Sequence, residues 1–380
     1  MRWIAWKMLT GDRAKYLGTV FGVAFGVLLI AQQTSIFVGI IGRTASQIVD
    51  VREPDFWVMD PYTQNADDIK PLAASDLYRV RGVEGVEWAV PLFKGQVRAR
   101  TSTGHFWQSI LIGVDDQSLV GAPPKMLQGD VADLRRPDAV IVDEIGYRLL
   151  WPEGQIELGR ELEMNDRRAV VVGICDVSSP FFTFPVMFTR YSLAMGYVPP
   201  QRRQMSFVVG RVSKGFDQEE VLADISEQTK LVAYDDDQFF WTIIGYYLRN
   251  TGIPVNFGIT IALGFIVGAA IAGQTFYLFT LENLKQFGAL KAMGLANPRL
   301  VGMVLLQAAI VGIVGYCLGI GMTAAFFEFT ADLNPNLRGL YLLPQIALGA
   351  AATVVVIVII ASVMSLRKVL VLEPAVVFRG

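Results

Sequence analysis

Glu282-Asn-Leu-Lys-Gln-Phe-Gly-Ala-Leu-Lys-Ala-Met-Gly-Leu-Ala-Asn-Pro298 is a short basic stretch set between two long apolar runs. Each run is long enough to cross a bilayer, which takes roughly 20 mostly apolar residues. The stretch between them is thereby held at one membrane face. Its spacing predicts a helix with Leu281, Leu284, Gly288 and Ala292 on one side. Gly288 has no Cβ, so a second surface can approach the backbone there. Gly294 stands where that helix would stop, and Asn297 and Pro298 read as N-cap and first position of the next one. A plain connector and a docking helix both fit this pattern.

The composition sets the class. Of 380 residues, 53% are hydrophobic and 18% charged. That is too apolar for an ordinary soluble protein and too charged for one confined to the membrane, so a mixed architecture is expected. Two cysteines, Cys175 and Cys317, make no disulfide framework, since Cys317 lies inside an apolar run. The single histidine, His105, has no Cys or His neighbour at metal-ligand spacing and reads as a surface residue near a turn.

From the N-terminus, residues 1–15 carry Arg2, Lys7, Arg13 and Lys15 among Trp3 and Trp6, which suits an amphipathic helix on the cytoplasmic membrane surface. Residues 16–41 form an apolar run too long for a signal-peptide core, and read as transmembrane helix 1. Gln32, Gln33, Thr34 and Ser35 sit in its outer half, where polar side chains usually face other helices. Residues 42–250 contain no run long enough to span a bilayer and suit a folded α+β domain. A strand–helix–strand unit is expected at each end, with a β-rich insert at about 115–200. Asp217 and Glu220 form a capping box ahead of the closing helix. The insert includes the aromatic stretch Ser178 to Phe188, which fits either a core or an exposed apolar surface. Residues 251–280 read as stalk and transmembrane helix 2, 281–299 as the cytoplasmic loop, and 300–327 as transmembrane helix 3. An outer loop (328–343), transmembrane helix 4 (344–366) and a cytoplasmic tail (367–380) follow. Gly312, Gly315, Gly319 and Gly321 permit close packing of the third helix.

Charge predicts the orientation. The segments 1–15, 281–299 and 367–380 hold ten basic and three acidic residues, whereas 43–250 is net acidic. Basic segments stay inside, so both termini are expected in the cytoplasm and the large domain outside. The sequence contains no phosphate-binding Gly-x-x-x-x-Gly-Lys-Ser/Thr loop, no His-Glu-x-x-His and no Gly-x-Ser-x-Gly. Acidic pairs such as Asp67-Asp68 and Asp115-Asp116 lack calcium-loop spacing and read as solvated turns. None of the four runs has a charged residue at its middle, which argues against an ion-coupled transporter.

Gly288-Ala-Leu-Lys-Ala-Met-Gly294, followed by a Gly-rich apolar helix, resembles the signature of FtsX-like ABC transporter permeases. The C-terminal Arg367-Lys-Val-Leu-Val-Leu-Glu-Pro374 is similar to that family's ending, in which an Arg precedes a short Asp/Glu-Pro-Ala tail. The short form without a fused ATPase resembles the DevC branch of the MacB-type permeases. The resemblance implies an α-helical membrane protein with a mixed α/β extracytoplasmic domain, four transmembrane helices and the MacB-like (type VII ABC transporter) permease fold. It implies a bacterial inner-membrane subunit that is no enzyme, holds no cofactor and no metal, and has no nucleic-acid partner. ATP and Mg would sit on a separate cytoplasmic ABC ATPase, beneath a homodimer of permeases. ATPase motion would pass through Leu284, Lys285, Gly288, Ala289, Leu290, Lys291, Met293 and Gly294, with Arg367, Glu373 and Pro374 as a cytoplasmic C-terminal motif. The lysines of that loop pair either with the partner or with membrane lipids. Export of a lipid, glycolipid or other hydrophobic or periplasmic substrate, with a periplasmic adaptor and an outer-membrane channel, is one expectation. The other is FtsX-like control of a cell-wall hydrolase without transport.

Overall fold

The computed structural model describes residues 2–51, 53–153, 155–333 and 337–370; within them, the side chains of Arg2, Gln47, Asp332, Met364 and residues 366–370 are left aside. In chain order the elements are helices α1 (Arg2–Gly11), α2 (Arg13–Arg43) and α3 (Ser46–Val49), strand β1 (Phe56–Met59), helix α4 (Ala74–Arg81), and strands β2 (Val86–Thr101), β3 (Phe106–Val114), β4 (Met126–Gln128) and β5 (Ala139–Asp143). Helix α5 (Glu144–Leu150), strands β6 (Glu161–Met164), β7 (Arg167–Cys175) and β8 (Val186–Arg190), helix α6 (Tyr191–Tyr197), strand β9 (Phe207–Val212), helix α7 (Gln218–Thr229), strand β10 (Val232–Tyr234) and helix α8 (Asp236–Asn250) complete the polar domain. Four helices close the chain: α9 (Ile253–Glu282), α10 (Leu284–Ala292), α11 (Asn297–Leu333) and α12 (Pro344–Leu370). The chain divides into two compact units, Met1–Gly39 with Gly252–Gly380, and Ile40–Thr251.

In the first unit, Arg13–Arg43, Ile253–Glu282, Asn297–Ala331 and Pro344–Val363 are long and apolar enough to cross a membrane. In lipid, helices associate by close packing rather than by hydrophobic transfer, so small residues belong at their crossings. A methyl group placed on Gly26 of α2 would lie 3.0 Å from Gly268 Cα of α9, and one on Gly319 of α11 would lie 2.6 Å from the Ala24 carbonyl oxygen. Gly315 packs on Val23 of α2 and Gly312 on Val354 and Val358 of α12, whereas Gly321 faces open space. Around these crossings Val23, Val27, Phe276, Val311, Val354 and Ile357 form the bundle core. Ser35 is buried, and its hydroxyl has no hydrogen-bond partner among the described residues.

The second unit holds a ten-stranded sheet in the order β10-β1-β9-β2-β3-β8-β5-β7-β4, with β6 pairing to β2 and β7. Alternation sorts the side chains onto its faces. Along β1, Phe56 and Val58 join a core with Val80, Val221 and Ile225 of α4 and α7, while Trp57 and Met59 join a core with Ile48 of α3 and Phe239 and Ile243 of α8. A third core, on the far half of the sheet, takes Tyr147 and Leu150 of α5 and Ala194 and Tyr197 of α6.

Four boundaries differ from the sequence expectation. The insert begins within β2 rather than at about 115: β2 pairs with β9 through Leu92↔Phe207 and with β3 from Phe93↔Gly113 onward, so one unbroken strand serves both parts. Residues 13–15 belong to α2, not to the N-terminal helix. The expected outer loop starts later than 328, because α11 continues to Leu333. The expected 251–280 span opens on an extended Thr251, and its helix starts only at Ile253, with Pro254 in the first turn. The aromatic stretch is divided. Val186, Met187 and Phe188 are buried in β8, and Phe181, Phe182 and Phe184 form a ring cluster with Tyr247, Phe182 remaining exposed. His105 is exposed beside the β2–β3 turn.

Asp143 ends β5 and caps α5. Its Oδ2 accepts from Gly146 N at 2.9 Å and its Oδ1 from Val186 N at 2.7 Å. The residue is buried, and burial, the larger effect, outweighs these two donors and raises its pKa from 3.8 to about 6. A carboxyl whose folded pKa is raised favours the fold below the unfolded value, and that contribution is lost as pH rises through about 6. Its full size is on the order of 3 kcal/mol. Asp143→Asn cannot ionise, so the apparent Tm of the wild-type polar domain should fall relative to the variant between pH 4.5 and 7 (about two pH units around the shift). Thermal unfolding of both chains across that range checks this; a gap moving the other way contradicts it.

Candidate functional site

α10 sits between α9 and α11, and its two ends are built differently. At its start, Asn283 turns the chain after α9, its Nδ2 donating to Phe279 O at 2.8 Å and its carbonyl accepting from Phe287 N at 3.0 Å. The helix therefore breaks between Glu282 and Leu284, and the expected stripe from Leu281 through Ala292 is not one continuous face. At its end, Gly294 adopts φ +89, Leu295 N donates to Leu290 O at 3.1 Å and Gly294 N donates to Lys291 O at 3.0 Å. This is a Schellman cap, in which glycine takes the left-handed position without a Cβ penalty. The apolar contact that accompanies such caps is present, since Leu290 and Leu295 pack on the same cluster. α11 starts one residue earlier than expected: Ala296 O accepts from Leu300 N, which makes Ala296 the cap and Asn297 the first helical residue.

The anchor of α10 is a residue outside the expected contact set. Phe287 is fully buried and packs with Leu300 and Val304 of α11, flanked by Met8 of α1. Gly288 is buried beside it. Gln307 of α11 donates through Nε2 to Ala5 O at 2.9 Å, and Ala5 and Leu9 are buried, so α1 is fastened over the same corner. Lys15, at the start of α2, pairs with Asp12 at 2.9 Å and with Glu282 at the end of α9. Trp3 and Trp6 stay exposed on α1, with Lys7 over the Trp3 ring at 5.8 Å, as an interfacial helix presents them.

The structure thus splits the expected contact patch. Gly288 faces the chain's own interior, and Leu284, Leu290 and Lys291 are half-buried on the inner side of α10. Lys285 and Met293 are exposed, Met293 by 75%, with half-buried Ala289 between them. Gln286, not singled out from the sequence, shares that outer face, and so does Ala292, which was expected on the side of Leu284 and Gly288. At 100° per residue, 285, 286, 289, 292 and 293 fall on one side and 284, 287, 288 and 291 on the other. The signal available in the sequence was Phe287 itself, the one aromatic residue in the loop and three residues beyond Leu284. Of the C-terminal motif, Glu373, Pro374 and the side chain of Arg367 lie outside the described residues. Among the described residues there is no cluster of His, Cys, Asp and Glu able to hold a metal ion.

Two family models match the chain: the MacB-like periplasmic core domain over residues 16–228 and the FtsX-like permease C-terminal over 240–374. Among curated proteins it is similar to the macrolide export ATP-binding/permease protein MacB of Escherichia coli O6:K15:H31, 24% identical over 349 residues that are 87% of this chain and 53% of that one. It is equally similar to the protein of that name from Shigella flexneri, 24% identical over 354 residues, with the same shares of 87% and 53%. The chain spans about half the length of the curated relatives it matches. Among solved structures, the periplasmic region of MacB from Actinobacillus actinomycetemcomitans aligns at TM-score 0.39 and 15% identity, covering 54% of this chain and 96% of that one. The extracellular domain of the transporter YknZ from Gram-positive bacteria aligns at TM-score 0.36 and 12% identity, covering 48% and 99%. With four membrane-length helices and a mixed α/β domain, and with the first model matching more than half of its residues, the chain belongs to the MacB-like, FtsX-like family of ABC transporter permeases.

Proposed function

We propose that this chain is the transmission subunit of an ABC exporter. A separate cytoplasmic ATPase, carrying ATP and Mg, docks on α10, and its motion passes through α9 and α11 to the outer domain. The observation that supports this reading is the construction of α10, a helix clamped on its inner side by Phe287 and offering Lys285, Ala289 and Met293 outward. A clamped helix carries a push applied to its free face into the helices that hold it. The basic segments at both ends of the chain and around α10 suit the cytoplasmic side of a bacterial inner membrane. Two copies, a substrate of lipid, glycolipid or other hydrophobic or periplasmic nature, and an adaptor with an outer-membrane channel complete the proposed assembly. The regulatory reading, in which the same motion controls a cell-wall hydrolase, uses the same α10 contact; co-purified partners separate the two.

Two experiments follow from this geometry. In a Cys317→Ser background, Ser102→Cys, at the exposed β2–β3 turn, should react with an impermeant thiol reagent in intact cells. Met293→Cys should react only after permeabilisation; reaction in intact cells overturns the orientation. For docking, Ala289→Trp and Met293→Asp alter the outer face of α10 and should reduce ATPase co-purification about tenfold or more, since a few buried side chains dominate such contacts. Membrane insertion and the labelling pattern should stay unchanged. Phe287→Ala instead opens the internal cluster and should destabilise the bundle by about 3–5 kcal/mol. If Ala289→Trp and Met293→Asp both leave ATPase association intact, α10 is a connector only.

A further inference from the structure

The outer domain contains a cavity of about 340 Å³ at the point where β2 leaves β9 and joins β3. That volume is within the range of small-molecule sites. One wall is the loop at 67–71 and the other the connection at 198–206, and the two are tied by Leu72 N donating to Met205 O at 2.9 Å. Lys94 lies in the strand between them. It is the one lysine in the wall and is only 8% exposed.

The Lys94 ammonium donates to Ala66 O at 2.6 Å and to Asp67 Oδ1 at 2.9 Å. An ammonium has three N–H groups, so one remains. The other oxygen of Asp67 accepts from Tyr247 OH at 3.3 Å. Asp67 balances the Lys94 charge, and burial lowers the Lys94 pKa against that pull. With Lys94 offset by Asp67, Arg202 gives the cavity wall one positive charge in excess; its η1 nitrogen donates to the Gln96 carbonyl at 3.4 Å. The Gln96 side chain accepts from Gln108 through its oxygen at 3.1 Å, and its amide nitrogen, with those of Gln201 and Gln204, supplies donors on the wall. Phe93 and Met205 supply an apolar side.

We propose that this cavity binds a small carboxylate that also carries amide or hydroxyl groups, its carboxylate meeting Lys94 and Arg202 and its polar body the glutamine amides. A carboxylate shared by two cations gains charge-assisted hydrogen bonds that a neutral ligand cannot make. The proposal concerns the outer domain alone and stands or falls separately from ATPase docking on α10.

The test is calorimetric titration of the full-length chain in nanodiscs with three probes: N-acetylalanine, its uncharged methylamide, and inorganic phosphate. N-acetylalanine should bind saturably and the methylamide about tenfold or more weakly, the factor expected for one charge-assisted hydrogen bond; phosphate, which has no apolar body to meet Phe93 and Met205, should also bind more weakly. Lys94→Met should abolish binding. Because Lys94 is buried and that change can cost the fold, Arg202→Gln is the second variant; Arg202 is exposed, and its replacement should weaken N-acetylalanine about fivefold or more with the thermal unfolding profile unchanged. Absence of saturable binding, equal binding of the methylamide, tighter binding of phosphate, or a folded Arg202→Gln chain that binds as the wild type does each overturns the proposal.

Discussion

The membrane unit depends on backbone-to-backbone contact between α2 and its neighbours. Gly26 meets Gly268 of α9 with no room for a methyl group, and Gly319 of α11 brings the Ala24 carbonyl just as close. Lipid chains are as apolar as leucine, so burying larger side chains between these helices would gain little over leaving them in lipid. Contact area and close approach decide the packing instead. α2 thus becomes the element against which both α9 and α11 are placed, and these are the two helices that carry α10 between them.

α10 inherits its position from that arrangement. Phe287 fills a pocket made by Leu300 and Val304, and the Schellman cap at Gly294 fixes where the chain turns into α11. α1 closes the same corner through Met8 and through the Gln307–Ala5 hydrogen bond. A side chain so enclosed makes many dispersion contacts, each small and together large, and tolerates little displacement. α10 is thus attached on one side and exposes Lys285 and Met293 on the other.

In the α/β domain the corresponding constraint is the continuity of β2. Its first half pairs with β9 and its second half with β3 and β6, so one strand joins the two halves of the ten-stranded sheet. At the crossing, Ser206 replaces the strand ladder: its hydroxyl accepts from Lys94 N at 2.9 Å and donates to Lys94 O at 3.0 Å. Buried Lys94, exposed Asp67 and half-buried Tyr247 lie at the same point, so β2, the loop before α4 and α8 meet in one polar network that runs from the core to the surface. At its buried end, Lys94 left unpaired would cost free energy.

The sequence by itself determined the four membrane-length helices, the mixed α/β character of the polar domain and the place of the short basic helix. These follow from run length, alternation and local capping, all of which are properties of neighbouring residues. Gly294 as a helix end was legible for the same reason, since a left-handed backbone position favours glycine whatever surrounds it. The tertiary structure alone decided which face of α10 is free. Gly288 and Leu290 looked like contact residues because small and apolar side chains suit an interface, yet they suit an interior equally, and only the presence of Leu300, Val304 and Met8 around Phe287 assigned them inward. It also decided that the insert begins inside β2, because a strand's composition does not change when its hydrogen-bonding partner does.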